Sequence, residues 1–394
     1  MGTARRIALN AFIISLAIFG GFYQIYLKPL LVTFGVSPAR VVMAIGNKHC
    51  IVIPELQACE ELVLHQPTGV IYAACSTPLS RTHWIPALDQ LNSTGASTDD
   101  YVATYNPFTG RVTRLKRNDF NAGRGLSLHG MDVVASKTDP DILYIYLVNH
   151  RIPLGPQSAR NIGADSVIEV FSTTVGGSTM DHWHTIKDQN VIITPNSVSG
   201  SADGKSFYFT NDHAVRVGAS RTISNVLGHN KTSIAYCHVD KGCKFALTGL
   251  HGTNGIAAAE NGTIYAADSL AGRIEVFKQQ SDNTLVHADS ISTKHLLDNV
   301  ALDADGHLWV AAMPVGWRSL QHLKNPSLKS PSTVFRLSKN TGRTCSPLQK
   351  HILEKTFEDD GDIMSGITTA VYDSRRRKIF ISGIASPHSV VCDL

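Results

Sequence analysis

Acids and amides recur in this chain at one kind of place, shortly before short apolar runs of strand length. Glu60 and Glu61 precede the first such run, Asn196 sits in ITPNS, Asn254 in HGTNGIA, and Asp298-Asn299 in LLDNVALD. If equivalent turns of a repeated architecture face one axis, their oxygens converge. Hard oxygen donors in that number suit Ca2+, which takes 6–8 oxygens in flexible geometry. Asn and Asp before strands are also ordinary turn residues, and spacing alone leaves both readings open. Other chemistries lack their signatures. There is no G-x-S-x-G elbow, no H-E-x-x-H and no phosphate-cradling G-x-x-x-x-G-K-[S/T]. DHWH at 181–184 puts alternate residues on one strand face and reads as a surface strand rather than a metal pair.

The elements that must position these residues announce themselves as a repeat. Six turn-then-strand segments share one shape: Thr68-Gly69 then VIYAACS, Asp139-Pro140-Asp141 then ILYIYLVNH, and Asp203-Gly204 then KSFYFTNDH. Asn261-Gly262 then TIYAADS, Asp305-Gly306 then HLWVAAM, and residues 373–377 then KIFISGIAS complete the set. Asn-Gly and Asp-Gly supply the positive φ of tight hairpin turns, and each apolar run has strand length. The mean step from Val70 to Lys378 is roughly 62 residues, room for a four-stranded blade of about 40–50 residues plus loops. The expected fold is all-β: one six-bladed β-propeller domain over residues 37–394, behind an N-terminal hydrophobic helix in residues 1–36. An open sandwich or two β-domains fits six equivalent units less well.

Composition narrows the class. Hydrophobic residues are 43% and charged residues 17%, which excludes a disordered chain and a multi-span membrane protein. Lys+Arg is 36 against Asp+Glu 32, with no basic stripe, so no nucleic-acid partner is expected. Residues 7–26 carry no charge and follow Arg5-Arg6. That length spans a hydrocarbon core of about 30 Å, and the arginines place the N-terminus in the cytosol. An uncleaved signal anchor, with secretion after cleavage as the alternative, puts the remainder in the secretory pathway or outside the cell. Three N-x-[S/T] acceptors, Asn92, Asn230 and Asn261, agree with that side. Seven cysteines (50, 59, 75, 237, 243, 345 and 392) show no zinc spacing. In an oxidising compartment some should pair. Cys50 and Cys392 sit at the two ends of the body, where a disulfide would clasp the ring; Cys237 and Cys243 lie close enough to close a small loop. The other pairings stay open.

LHGMDVV at 128–134, LVNH at 147–150, TNDH at 210–213, NGI at 254–256, LLDN at 296–299 and the ending VCDL occur in one order from Cys50 to the C-terminus. In this set the chain resembles the serum paraoxonase/arylesterase family, as a divergent member. The resemblance implies a six-bladed propeller with calcium in its tunnel and hydrolysis of lactones and aryl esters as the activity. Carried onto this sequence, it implies a catalytic calcium held by Glu60, Asn196, Asn254, Asp298 and Asn299. It also implies a catalytic His129 with His150 as its dyad partner, water attacking a carbonyl that the metal polarises.

The chain departs from the family pattern at two places. A second, buried calcium would use Glu61, the backbone carbonyl of Met131, and an acid at the position held here by Ser197. A neutral hydroxyl there removes one unit of charge from a dication site, so one calcium is expected and the second is left open. A family aromatic–histidine pair near the C-terminus is replaced by Ser386-Pro387, with His388 one place out of register. Residues 320–331 read as a mobile rim loop. The implied partners are a small-molecule lactone or ester and, through the N-terminal segment, a membrane. Two other classes remain: another propeller enzyme (gluconolactonase-like or strictosidine-synthase-like), or a non-catalytic binding propeller that calcium stabilises.

Overall fold

The computed structural model describes residues 2–36, 38–118, 120, 123–218, 221, 231–340 and 350–394. Five sheets of four strands and one of five make six blades, and the second strand of every blade is one of the repeated apolar segments. These strands are Val70–Cys75, Ile142–Arg151, Ser206–Asn211, Thr263–Asp268, Leu308–Met313 and Lys378–Ser382. They are nearly continuous in apolar, buried residues because a blade's second strand is covered on both faces by its neighbours. The hairpin before it supplies the turn: Gly69, Gly204, Gly262 and Gly306 all have positive φ.

The innermost strands are Glu61–His65, Leu128–Ala135, Pro195–Gly200, Thr253–Ala258, Leu296–Leu302 and Thr369–Asp373, for blades 1 to 6. All begin at the same end of the central channel. There the acids and amides of the sequence are brought together, at the first residues of successive inner strands.

The ring closes as the cysteines suggested. The strand Cys50–Ile53 pairs antiparallel with the last strand, Ser389–Asp393, and supplies the fourth strand of blade 6. Cys50 and Cys392 face each other in that register and form a disulfide across 342 residues of sequence. Disulfides also join Cys237 to Cys243, across a tight hairpin, and Cys59 to Cys75, beneath the first inner strand. Cys345 lies outside the described residues. Blade 2 carries a fifth strand, Lys116–Asn118, added in parallel.

The N-terminal helix runs from Thr3–Phe22 through a π-turn at Tyr23–Leu27 into Lys28–Thr33. The helical stretch Arg5–Thr33 is long and apolar enough to cross a membrane, and its most apolar part is unburied. Its far end is not free. Thr33 is buried, and the amide of Gly316 donates to the carbonyl of Phe34 (3.0 Å). Arg40 donates to the carbonyls of Val32 (3.1 Å), Pro314 (2.9 Å) and Lys294 (2.7 Å). Three carbonyls from three segments on one guanidinium fasten the end of the helix to blades 4 and 5. The stretch expected as a mobile loop from Leu320 begins instead inside the helix Gly316–Lys324. Its apolar side, with Leu320 and Leu323, is turned onto a cavity, which the sequence pattern over so short a stretch did not show.

Candidate active site at the channel mouth

Four inner strands carry a one-residue bulge at their chemistry-bearing residues. Pairing slips between Leu128 and Met131, between Pro195 and Val198, between Thr253 and Ile256, and between Leu297 and Val300. Blade 1 slips likewise between the Ala58–Ser76 bond and the Glu61–Ala74 pair. A bulge frees its residues from the ladder and re-aims their side chains. It is the local reason that His129, Asn196, Asn254, Asp298 and Asn299 point inward. Two glycines let the strands approach: a Cβ at Gly130 would lie 2.3 Å from the Asn196 carbonyl oxygen, and one at Gly255 would lie 2.5 Å from the Asn299 Cα. His129-Gly130 and Asn254-Gly255 are therefore packing units as well as site residues.

The inward groups form a connected ring. Asn299 Nδ2 donates to Glu60 Oε1 (2.8 Å) and to the Glu60 carbonyl (3.1 Å), which also accepts from Thr368 Oγ1 (2.9 Å). Asn254 donates to Asp298. Asn196 Nδ2 lies 3.2 Å from His129 Nε2, and that nitrogen lies 3.7 Å from Glu60 Oε1. After these bonds, buried oxygens remain without partners: Glu60 Oε2, Asn196 Oδ1, Asn254 Oδ1 and Asn299 Oδ1. A buried polar atom left unpaired costs roughly 1–3 kcal/mol, so four acceptors of one kind in one place call for a cation. Burial pushes the Glu60 carboxyl up to about 7, and burial together with Glu60 holds Asp298 well above the usual carboxylate range. Among the described residues no group of three His, Cys, Asp or Glu side chains is poised for a metal. Here amides complete the shell of two carboxylates, an all-oxygen donor set that fits Ca2+ and not a transition metal.

One residue further down the same strands the arrangement is different. Glu61 Oε2 accepts from Ser197 Oγ (3.1 Å) and from the Met131 amide (3.4 Å). Glu61 is buried, and burial and the neighbouring Glu60 raise its carboxyl well above the usual range. The layer is closed by hydrogen bonds, and no second acid enters it from Ser197.

His129 lines the cavity at the mouth, whereas His150 lies behind it, with ring centroids 5.2 Å apart in an edge-to-face arrangement. His150 Nδ1 lies 2.8 Å from Ser166 Oγ, and its backbone carbonyl accepts from Trp84 Nε1 (3.0 Å). His129 Nδ1 and His150 Nε2 are buried without partners. Burial pulls His150 down to about 4, and burial with the nearby His150 and Arg81 holds His129 well below its usual value. Both rings are therefore neutral at pH 7, the form that accepts a proton.

Several supports had no signal in the sequence. Arg81 is buried beside Asp100 (3.8 Å) and donates to the Leu128 carbonyl (2.6 Å), while Asp100 accepts from the Leu128 amide (2.8 Å). This pair clamps the residue before His129 from both sides. Asp212 of the TNDH motif receives Asn196 Nδ2 (3.4 Å) and the ring of His213 (2.7 Å). The cavity itself measures about 190 Å³ and is walled by apolar side chains, among them Phe34, Leu88, Leu270, Leu296, Leu320 and Ile384. Phe34 comes from the end of the N-terminal helix.

The remaining expected sites are scattered. Asn92 is half-buried, with Nδ2 3.0 Å from His83 Nδ1 and Oδ1 accepting from Thr94 Oγ1. Asn261 is exposed on a hairpin, and Asn230 lies outside the described residues. In the 181–184 strand His182 faces the buried Glu169 (3.1 Å) and Asp181 bonds Asn118, a blade contact rather than a metal site. Pro387 and Ser386 sit in the last turn, and His388 Nε2 meets the Ile363 carbonyl (3.1 Å), outside the lining of the cavity.

Comparison with known proteins agrees with the resemblance read from the motifs. The arylesterase family profile matches residues 92–394. Serum paraoxonase/arylesterase 1 of Mus musculus is 27% identical over 267 residues, 66% of this chain and 67% of that protein. The Homo sapiens protein of the same name is 24% identical over the same shares of each chain. Among solved structures, a gluconolactonase from Xanthomonas campestris superposes with TM-score 0.48 at 13% identity, covering 89% of this chain and 91% of that one. The profile takes in more than three quarters of the sequence and all but the first of the five chemistry-bearing strand starts, and this chain belongs to the arylesterase family as a divergent member.

Proposed function

We propose that this protein is a calcium-dependent hydrolase of carboxylic esters and lactones, anchored in a membrane of the secretory pathway by its N-terminal helix. The observation that carries this reading is the set of four unpartnered, buried oxygens on Glu60, Asn196, Asn254 and Asn299, beside the carboxyl of Asp298. Bound there, calcium supplies a Lewis acid toward an ester carbonyl. Glu60 and Asp298 provide the two negative charges, and the three amides provide neutral oxygens.

The chain's own residues do the remainder. His129 presents Nε2, and an amide hydrogen from Asn196 directed at it means that this nitrogen holds the lone pair. It is the group placed to take a proton from an attacking water. His150 fills the space behind it and, tied to Ser166 and Trp84, keeps the His129 ring from rotating away. The apolar cavity excludes bulk water and accepts an alkyl or aryl portion of a substrate. Phe34 in its wall gives the anchor a place in the site and favours an anchor that is retained.

One calcium, rather than two, is the reading favoured by the closed layer of Glu61, Ser197 and the Met131 amide. The disulfides suit an oxidising compartment, and Asn261, exposed on its hairpin, is the better placed glycan acceptor of the two described.

The test is hydrolysis of a lactone panel and phenyl acetate by the full-length protein in detergent, with calcium, after chelation and after calcium is restored. Turnover lost and regained with the metal supports the reading. No turnover, with calcium still raising the melting temperature, means a binding propeller that keeps the metal. Neither turnover nor stabilisation means that the ring of oxygens holds no calcium.

A further inference from the structure

The cavity at the channel mouth holds one more unpartnered polar atom. Five side chains in its lining have a buried nitrogen or oxygen with no partner: Glu60, His129, Asn196, Asn254 and His322. Four belong to the metal ring and its histidine. The fifth stands apart, on the helix Gly316–Lys324, in a part of the wall that also holds Leu320, Leu323, Phe34 and Ile384.

The chemistry of that atom is fixed by its ring. His322 is fully buried, and its Nδ1 lies 2.7 Å from the carbonyl oxygen of Leu328. A carbonyl only accepts, so Nδ1 carries the hydrogen and Nε2 carries the lone pair. Burial lowers the ring below its usual value, which keeps it neutral at pH 7. The ring is also held in place. It packs on Gly366, where a Cβ would come within 2.6 Å of Nε2 and 2.3 Å of the adjoining ring carbon. Gly366 has φ +69°, so glycine is required there on two counts. Two residues along from Gly366, Thr368 bonds the backbone of Glu60. His322 and Glu60 line the same cavity, so the lone acceptor and the ring of acids and amides face one space.

We infer that His322 is a specificity-determining residue: its Nε2 accepts a hydrogen bond from a hydroxyl or amide N–H carried by the acyl part of the substrate, a few atoms from the reacting carbonyl. The inference rests on the ester and lactone reading above and adds the substrate class. The favoured substrates are apolar lactones or esters with one hydrogen-bond donor, because the other hydroxyls of the lining, on Ser269, Ser319 and Thr368, are already bonded within the protein and the remaining wall is hydrocarbon. A buried acceptor left unpaired by a substrate without that donor penalises it, and such sites discriminate more sharply than apolar pockets do.

The experiment compares a lactone bearing a side-chain hydroxyl with its deoxy analogue of equal length, using the full-length protein with calcium. The variants are His322→Phe, which keeps a flat ring and removes the acceptor, and His322→Gln, which keeps an acceptor oxygen. We expect the wild type to favour the hydroxylated lactone by about tenfold in kcat/KM. His322→Phe should lose most of that ratio and His322→Gln should keep part of it. The wild-type ratio is read without any variant, so a poorly folded substitution does not leave the matter undecided. Wild-type turnover of both lactones with no preference overturns the inference alone, as it would if water simply fills the place. A preference that survives His322→Phe also overturns it. No turnover of either lactone by the wild type overturns the hydrolase reading and this inference with it.

Discussion

Two layers of the channel lie one residue apart along the same strands and have opposite character. In the upper layer Glu60, Asn196, Asn254 and Asn299 each keep an oxygen without a partner. In the lower layer Glu61 has its oxygen taken by the hydroxyl of Ser197 and the amide of Met131. Successive residues of a strand alternate in direction, and the bulges shift that alternation so that neighbours in sequence serve different layers. Burial alone therefore does not leave oxygens free for a cation. Both layers are buried and both contain a carboxyl raised well above its ordinary value, but only the upper one lacks hydrogen-bond donors to satisfy it.

The strongest way to break the comparison is to damage the upper layer. Asn254→Ala or Asp298→Ala should lower kcat/KM for phenyl acetate more than 100-fold and abolish calcium binding measured by calorimetry. Either variant retaining calcium at wild-type affinity would contradict the assignment of the shell. Next in size is the contrast between the two histidines. His129 lines the cavity and His150 does not, so His129→Gln should cost about 100-fold in kcat and His150→Gln about tenfold. Equal losses would mean that the pair acts as one unit rather than as a base with a support behind it.

The comparison can also be sharpened by converting one layer into the other. Ser197→Asp restores an acid opposite Glu61 and should raise the calcium stoichiometry from one to two. In chelator the same change should lower the melting temperature by about 3 °C, since two buried carboxyls then face each other. A stoichiometry that stays at one would show that the lower layer is closed by its shape and not by its charge. The smallest effect is expected of Ser197→Ala, which removes one hydrogen bond to Glu61. It should cost about 1 kcal/mol of stability in a denaturant titration and leave the calcium requirement as it was.

Much of the architecture could be read without coordinates. The six apolar segments after turn motifs, four of them Gly-containing, became the second strands of six blades, because a strand covered on both faces must be apolar throughout. Cys50 and Cys392 paired because the ends of a ring meet. The candidate shell was legible in part: Asn and Asp before a strand are ambiguous as residue types, and the family motifs chose among them. The rim was misjudged. Leu320 to Lys324 is helical, and a single turn and a half of alternating leucine, glutamine, histidine and lysine has too little period to be told from a loop.

What the sequence determined by itself is the set of elements and their order: turn residues and apolar runs act locally, within a few residues, and so are written locally. The tertiary structure decided which atoms are left without partners. That depended on bulges that re-aim Asn196, Asn254 and Asp298, and on the Arg81–Asp100 pair that clamps Leu128. It depended too on the seating of Phe34 and His322 in one cavity wall although 288 positions separate them. Such partnerships join residues far apart in the chain, and whether a polar atom is satisfied is a property of the space around it.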